Sequence, residues 1–519
     1  MATTPTFVEQ PPLEGSLRMW GTLVVSAATF MNVLDSSIAN VSLPAIAGDL
    51  GVSANQGTWV ITSFAVANAI SVPLTGWLSQ RFGQVRLFIG SVLLFVLSSW
   101  MCGLAPNMTT LIAFRAFQGF VAGPMIPLSQ SLLLASYPKA LAGLAMAMWS
   151  MTVLIAPVVG PLLGGWITDN ISWPWIFFIN IPVGLLAATG IWSIFRKREN
   201  ETHKLPIDVV GLTALVVWVG SLQIMLDKGK ELDWFHSTFI VTLAVTAVLG
   251  FVFFLIWELT EEHPVVDLSL FRVRNFWAGT VSISIAYGVF FGTVVLLPLW
   301  LQEFMGYTAT DAGMVLAPVG LFALILSPFV GKGLGRYDAR LFATFSFIVF
   351  ALVMWMRSLF NTQADFGTIM VPTIIQGVAM AFFFIPLTTV TLSGLPQQRI
   401  PSASGLTNFV RITAGSFGVS ITTTLWENRA AVHHAHLAEA VTNGSQAVRS
   451  TLAGLEAAGM SPQQALDMIN RLTTQQAFML GANDLFYLSA VIFLLLIPLI
   501  WLTRPHRGDG GAGAAAGAH

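Results

Sequence analysis

Charge is scarce in this sequence. Only 9% of its 519 residues are Asp, Glu, Lys or Arg, and they balance to a net charge of −1. An ordinary soluble domain carries about a quarter of its residues as charges, so that class is excluded. The near-zero balance provides no global field to draw in nucleic acid or an acidic partner. Cysteine is almost absent too: Cys102 stands alone, which rules out internal disulfides and cysteine metal clusters. No Gly-x-x-x-x-Gly-Lys-Ser/Thr phosphate loop occurs, and Gly331-Lys332-Gly333 is no substitute, so this chain carries no ATP motor. Nothing resembles a nucleophile–base pair or a metal-ligand cluster, so we expect no enzyme, no metal and no cofactor beyond protons. Residues 1–18 hold Pro5, Pro11 and Pro12 but only one basic side chain, Arg18. That pattern reads as a cytoplasmic tail and not as a removed signal peptide.

What is present is apolar. Hydrophobic residues make up 55% of the chain and mean hydropathy is +0.75. Runs long enough to cross about 30 Å of hydrocarbon fall at 20–42, 58–78, 86–105, 109–134, 143–166, 174–195, 207–226, 238–257, 276–299, 311–331, 341–360, 368–392, 402–426 and 483–503. The expectation is therefore an all-α membrane protein of fourteen spans. With the N-terminus in the cytoplasm, sixteen Lys/Arg fall inside, including Arg18, Arg81, Lys139, Lys204, Arg399 and Arg507. Five fall outside, namely Lys228, Lys230, Arg429, Arg449 and Arg471, while Arg115, Arg357 and Arg411 lie in or near spans. The positive-inside rule then places both termini in the cytoplasm.

Gly76, Arg81 and Pro73 recur 255 residues later as Gly331, Arg336 and Pro328; Gln118-Gly119 and Pro138 recur 258 later as Gln376-Gly377 and Pro396. Such duplication is the construction of rocker-type secondary transporters. It implies a tail at 1–19, a six-helix bundle at 20–195, two inserted helices at 207–257 and a second bundle at 276–503. A disordered tail follows at 504–519. The second bundle carries an external loop, 427–482, in which Leu452, Leu455, Met460, Leu466, Ile469 and Leu472 suggest short amphipathic helices. His433, His434 and His436 read as a solvated helix start in preference to metal ligands.

The repeat breaks at two charges. Asp35 falls mid-span, where a carboxylate costs about 2.5–3.5 kcal/mol on insertion scales and commonly marks a proton or ion path. Its repeat mate is Phe290; that of Arg115 is Thr373. A guanidinium cannot shed its charge, so Arg115 can hold a carboxylate ionised, position a substrate, or serve as a structural hub.

The string Leu34-Asp35-Ser36-Ser37-Ile38-Ala39-Asn40 resembles the first-helix signature of the 14-helix drug:proton antiporters of the major facilitator superfamily. Gly76-Trp77-Leu78-Ser79-Gln80-Arg81-Phe82-Gly83 is similar to that superfamily's loop between helices two and three, with Gln80 where the family's acid usually stands. Phe114-Arg115-Ala116-Phe117-Gln118-Gly119 resembles its fourth-helix motif. Pro157-Val158-Val159-Gly160-Pro161 with Gly164 and Gly165 resembles the fifth-helix antiporter motif; its glycines and prolines suit a kinked, closely packed helix. Strings such as Gln56-Gly57-Thr58-Trp59 and the tail ending in Ala518-His519 extend the likeness to the EmrB-type multidrug exporters of Gram-negative bacteria.

This resemblance implies two six-helix bundles plus two inserted helices, in a bacterial inner-membrane protein. It implies export of hydrophobic drugs in exchange for protons, with Asp35 and Arg115 as the coupling residues. It also implies a periplasmic adaptor of the EmrA type and an outer-membrane channel of the TolC type as partners, beside membrane lipid. Asn40, Asn408 and Arg411 are candidates for the substrate cavity, and Arg411 can equally snorkel to the interface. Two other classes stay open. A passive facilitator or metabolite symporter shares the fold, although the Gly160-Pro161 motif argues against it. A sensor or scaffold docking through 427–482 is disfavoured because it has no use for mid-span charges.

Overall fold

The structure is a computed structural model that describes residues 11–138, 141–202, 206–334, 336–442 and 445–505. Lys139, Lys204, Arg507 and most of the C-terminal tail lie outside them. Among the described residues the regular elements are all helical, as lipid requires when each segment must satisfy its own backbone.

The first bundle consists of α1 (Gly15–Asp49), α2 (Trp59–Phe82), α3 (Gln84–Gly103), α4 (Met108–Ser136), α5 (Ala142–Asn170) and α6 (Trp175–Phe195). Helices α7 (Val209–Lys228) and α8 (Thr238–Thr260) follow. The second bundle is α9 (Arg274–Phe304), α10 (Ala309–Gly333), α11 (Ala339–Arg357), α12 (Phe366–Leu392), α13 (Ile400–Ala440) and α15 (Pro462–Trp501), with the short α14 (Gln446–Ala457) between the last two. Twelve of these helices are long and apolar enough to cross a membrane. The sequence expectation of fourteen also counts α5 and α13, which have the length but are not among those twelve.

Element boundaries differ from expectation in two places. Helix α1 begins at Gly15, within the expected tail. The 427–482 loop is mostly helix continued from both sides. α13 runs unbroken through His433, His434 and His436, so these histidines sit inside a helix and not at its start. His433 faces Asp484 at 2.7 Å, and His434 faces Asn470 at 3.2 Å. Leu466, Ile469 and Leu472 lie on α15, which opens in a capping box between Ser461 and Gln464. Ala-rich sequence without Pro or Gly explains why α13 does not stop at the membrane boundary.

Burial follows the helical period. On α1, Thr22, Val25, Thr29, Asn32, Asp35, Ala39 and Ser42 form one inward stripe. On α8 the buried set shrinks to Ile240, Ala247, Phe254 and Glu258, while Val248, Leu249, Ile256 and Leu259 stand exposed. Such an apolar surface is stable only against lipid. The two inserted helices pack through Trp218, whose ring meets Phe251, Phe254 and Phe409.

Close approaches between the bundles cluster at the end holding the α4–α5 and α12–α13 connections. A Cβ on Gly76 falls 2.7 Å from Ser402 Cα, and one on Gly405 falls 3.0 Å from the Val72 carbonyl. Cβ atoms added to Gly143 and Gly331 would lie 2.7 and 2.8 Å from each other's carbonyl oxygens. Ser404 and Asn408 of α13 donate to Gln130 Oε1 of α4. Within the second bundle, a Cβ on Gly418 would lie 2.0 Å from the Gly288 carbonyl oxygen, with backbone on both sides. Gly418→Leu should therefore destabilise the fold by at least the ~1–3 kcal/mol typical of overpacking. Gly454→Ala, whose site is open, should be neutral or better. Thermal unfolding in detergent reads both, and an unshifted Gly418→Leu melt would contradict this packing.

Candidate functional site

Four helices converge on Asp35. Asn107 caps α4 by accepting from Thr110 N at 3.0 Å, which starts the helix in a register that turns Arg115 and Gln118 inward, one turn apart. Gly119 lets α2 lie directly on α4, since any Cβ would meet Phe64 O at 2.2 Å. That approach brings the Val60 carbonyl within 3.2 Å of Arg115 Nε.

Asp35 and Arg115 are both fully buried, and Arg115 Nη1 donates to Asp35 Oδ2 at 2.6 Å. The same nitrogen reaches Gln118 Oε1 at 2.6 Å. Asp35 Oδ1 accepts from Gln118 Nε2 at 3.2 Å and from Asn180 Nδ2 of α6 at 2.8 Å. Asn180 also donates to Ser99 Oγ of α3 at 2.9 Å, and Ser99 donates to Phe177 O. The guanidinium lies 4.3 Å from the Phe64 ring centroid and 5.5 Å from that of Phe177, so aromatic faces offset part of its desolvation. Arg115 Nη2 is buried with no hydrogen-bond partner. Each partner of Asp35 is a donor, a shell complementary to an acceptor-only carboxylate.

The other expected residues separate into three places. Asn408 and Arg411 line a cleft between the bundles, with Gln130 and Trp149 facing them from α4 and α5. Arg411 does not snorkel: it is 5% exposed and lies 4.7 Å from the Tyr287 ring. Asn40 is exposed on α1 and is not among the cleft residues.

Gly160 and Gly164 seat α5 against α1, where added Cβ atoms would lie 2.0 Å from Ser37 Oγ and 2.9 Å from Ile38 O. Helix α5 runs continuously through Pro157 and Pro161, and a Cβ added to Gly165 would lie 3.8 Å from Val41, an ordinary contact. In the α2–α3 turn, Gly83 has φ +90°, a conformation that favours glycine, and Arg81 lies over the Trp77 ring at 5.3 Å. The acid of this turn is Glu199, which accepts from Val85 N at 3.0 Å and Arg86 N at 2.9 Å.

Sequence reasoning found the acid and the base but missed Gln118, Asn180 and Ser99 as their partners. Arg357 was counted only as near a span. It ends α11 buried, donating through Nη2 to Gln376 Oε1 at 2.7 Å and to Thr373 Oγ1 at 3.2 Å. No ion pair includes it among the described residues.

Comparisons with known proteins agree with this architecture. The family model "Major Facilitator Superfamily" matches residues 25–419. The chain is 52% identical over 509 residues to "Multidrug export protein EmrB" of Escherichia coli (strain K12), covering 98% of this chain and 99% of that one. It is 50% identical over 506 residues to "Fatty acid resistance protein FarB" of Neisseria gonorrhoeae, covering 97% and 100%. The crystal structure of the human organic anion transporter MFSD10 (TETRAN) shares the fold, with TM-score 0.58 at 13% identity, over 95% of this chain and 100% of that one.

The buried pair makes an asymmetric prediction. Asp35→Asn leaves Arg115 charged and uncompensated, whereas Arg115→Gln leaves a carboxylate that can take up a proton. Removing one partner of a buried pair costs about 3–5 kcal/mol. The double variant Asp35→Asn/Arg115→Gln should therefore melt above Asp35→Asn alone. A double variant that melts at or below Asp35→Asn would show that the two side chains are not energetically coupled.

Proposed function

This chain belongs to the Major Facilitator Superfamily, and we propose that it exports hydrophobic drugs and toxicants across the bacterial inner membrane in exchange for protons. The names of its relatives support drugs and fatty acids as cargo. The observation that carries the coupling mechanism is the fully buried Asp35 carboxylate, held by Arg115, Gln118 and Asn180 where four helices meet.

A proton arriving on Asp35 puts a donor among donors and removes the charge that strengthens these bonds, so the shell is weakened. It also leaves Arg115 without its counter-charge. Both consequences loosen α1 from α4 and α6, and α1 is bound to α5 through Gly160 and Gly164. Protonation thus acts through α1 on α5, which packs against α10 of the second bundle. With both termini cytoplasmic, the end closed by the Gly76, Gly143, Gly331 and Gly405 contacts is the cytoplasmic end. Asp35 would take its proton from outside and release it inward as drug moves out. The helical extension over 427–482 is the largest element beyond the membrane and suits an adaptor of the EmrA type, itself docked on a channel of the TolC type.

The test uses proteoliposomes with an internal pH dye, wild type beside Asp35→Asn. Adding a hydrophobic cation with no titratable group should evoke proton movement in wild type only. Flux in neither would favour a facilitator, and equal flux in both would remove Asp35 from the coupling path.

A further inference from the structure

Among the described residues no acid pairs with the buried cation Arg411. Its one hydrogen bond among the described residues runs from Nη2 to Asn408 Oδ1 at 2.6 Å, and two aromatic faces, Tyr287 and Phe384, lie 4.7 and 5.3 Å from its guanidinium carbon. Among the described residues no ion pair includes it, and no carboxylate lines the cleft it faces. Arg115, by contrast, has Asp35 at 2.6 Å. A guanidinium keeps its proton, and an uncompensated buried charge costs several kcal/mol. Ring faces recover only part of that.

A buried guanidinium held, among the described residues, only by an amide and two ring faces is suited to an anion. Thr388, Thr391, Ser404 and Thr407 line the same cleft beside Trp149 and Leu392. A guanidinium among polar and apolar side chains fits an amphipathic carboxylate, whose two oxygens match the guanidinium fork.

The position also bears on movement. Asn408 bridges Arg411 to the opposite bundle, because its Nδ2 donates to Gln130 Oε1 at 2.9 Å. The cleft now has an accessible volume of about 10 Å³, roughly a single water. A carboxylate enters only as the bundles part at this seam, so it binds the parted state better and shifts the equilibrium towards it. We propose that Arg411 is the headgroup receptor for hydrophobic carboxylate substrates, and that a substrate acid displaces Asn408 from it as the seam opens. The assignment rests on the exporter reading and narrows its cargo by charge.

The test measures binding to the purified full-length chain in nanodiscs, independently of transport. The probes are a dansyl-labelled long-chain carboxylic acid, its methyl ester and tetraphenylphosphonium. Losing a charge-assisted hydrogen bond should weaken acid binding to Arg411→Gln by about 10-fold or more, with tetraphenylphosphonium held within about twofold. Arg411→Lys keeps the charge without the fork and should fall between. In wild type, the methyl ester should bind as weakly as the acid binds to Arg411→Gln. An ester that matches the acid in wild type would overturn the proposal without any variant. Equal weakening of acid and cation in Arg411→Gln, or acid affinity unchanged, would overturn it as well. If wild type binds the acid through Arg411 yet never exchanges it for protons in proteoliposomes, the exporter reading fails while this assignment stands.

Discussion

A charge in hydrocarbon must find its counter-charge inside the protein, and the geometry of the first bundle is organised by one such requirement. Asp35 and Arg115 come from α1 and α4, with Gln118, Asn180 and Ser99 completing their hydrogen bonds from α4, α6 and α3. For that contact to form, α2 must lie on α4, which Gly119 allows, and α1 must lie on α5, which Gly160 and Gly164 allow. The glycines and the ion pair are thus one device. Small residues bring the backbones together, and close backbones place the donors within reach of a single carboxylate.

Much of this was legible in the sequence because membrane proteins make violations conspicuous. Asp35 and Arg115 stand out against apolar spans, where any charge is conspicuous. Gln118, Asn180 and Ser99 carry no charge and offend no pattern, so only three-dimensional convergence identifies them. Arg411 was balanced between cavity and interface because a long side chain permits either, and the Tyr287 and Phe384 rings decided for burial. The outer segment misled for a different reason. A hydropathy reading ends a span where apolar sequence ends, but backbone hydrogen bonding does not, and α13 continues to Ala440 through polar residues with no breaker among them.

Duplication has preserved the scaffold while moving the chemistry. Gly160 and Gly418 stand 258 residues apart. Each permits the closest approach in its half, of α5 to α1 and of α13 to α9. Gln118 and Gln376 are also mates at that offset, and each accepts from a buried guanidinium, at 2.6 and 2.7 Å. Yet the guanidiniums come from different helices. Arg115 rises from α4, whereas Arg357 ends α11 at the position that matches Ser99, and Thr373 stands in place of Arg115. The acid has no counterpart, because Phe290 occupies its position and packs on Phe350.

The outcome is an electrostatic asymmetry that neither half would have alone. The first bundle carries a buried pair that is neutral while Asp35 is ionised. The second carries Arg357 and Arg411, for which the described residues offer amides, hydroxyls and rings but no acid. Since neither arginine can lose its proton, Asp35 is the one member of this set whose charge can change. In the proposed exchange a proton on it would add the first bundle's Arg115 to the buried cations of the second, and low dielectric makes such a change felt at longer range than in water. On the coupling proposed above, the duplicated scaffold starts from unequal halves, one neutral and one cationic, and a single protonation changes the charge of the first alone, which a symmetric pair of sites could not do.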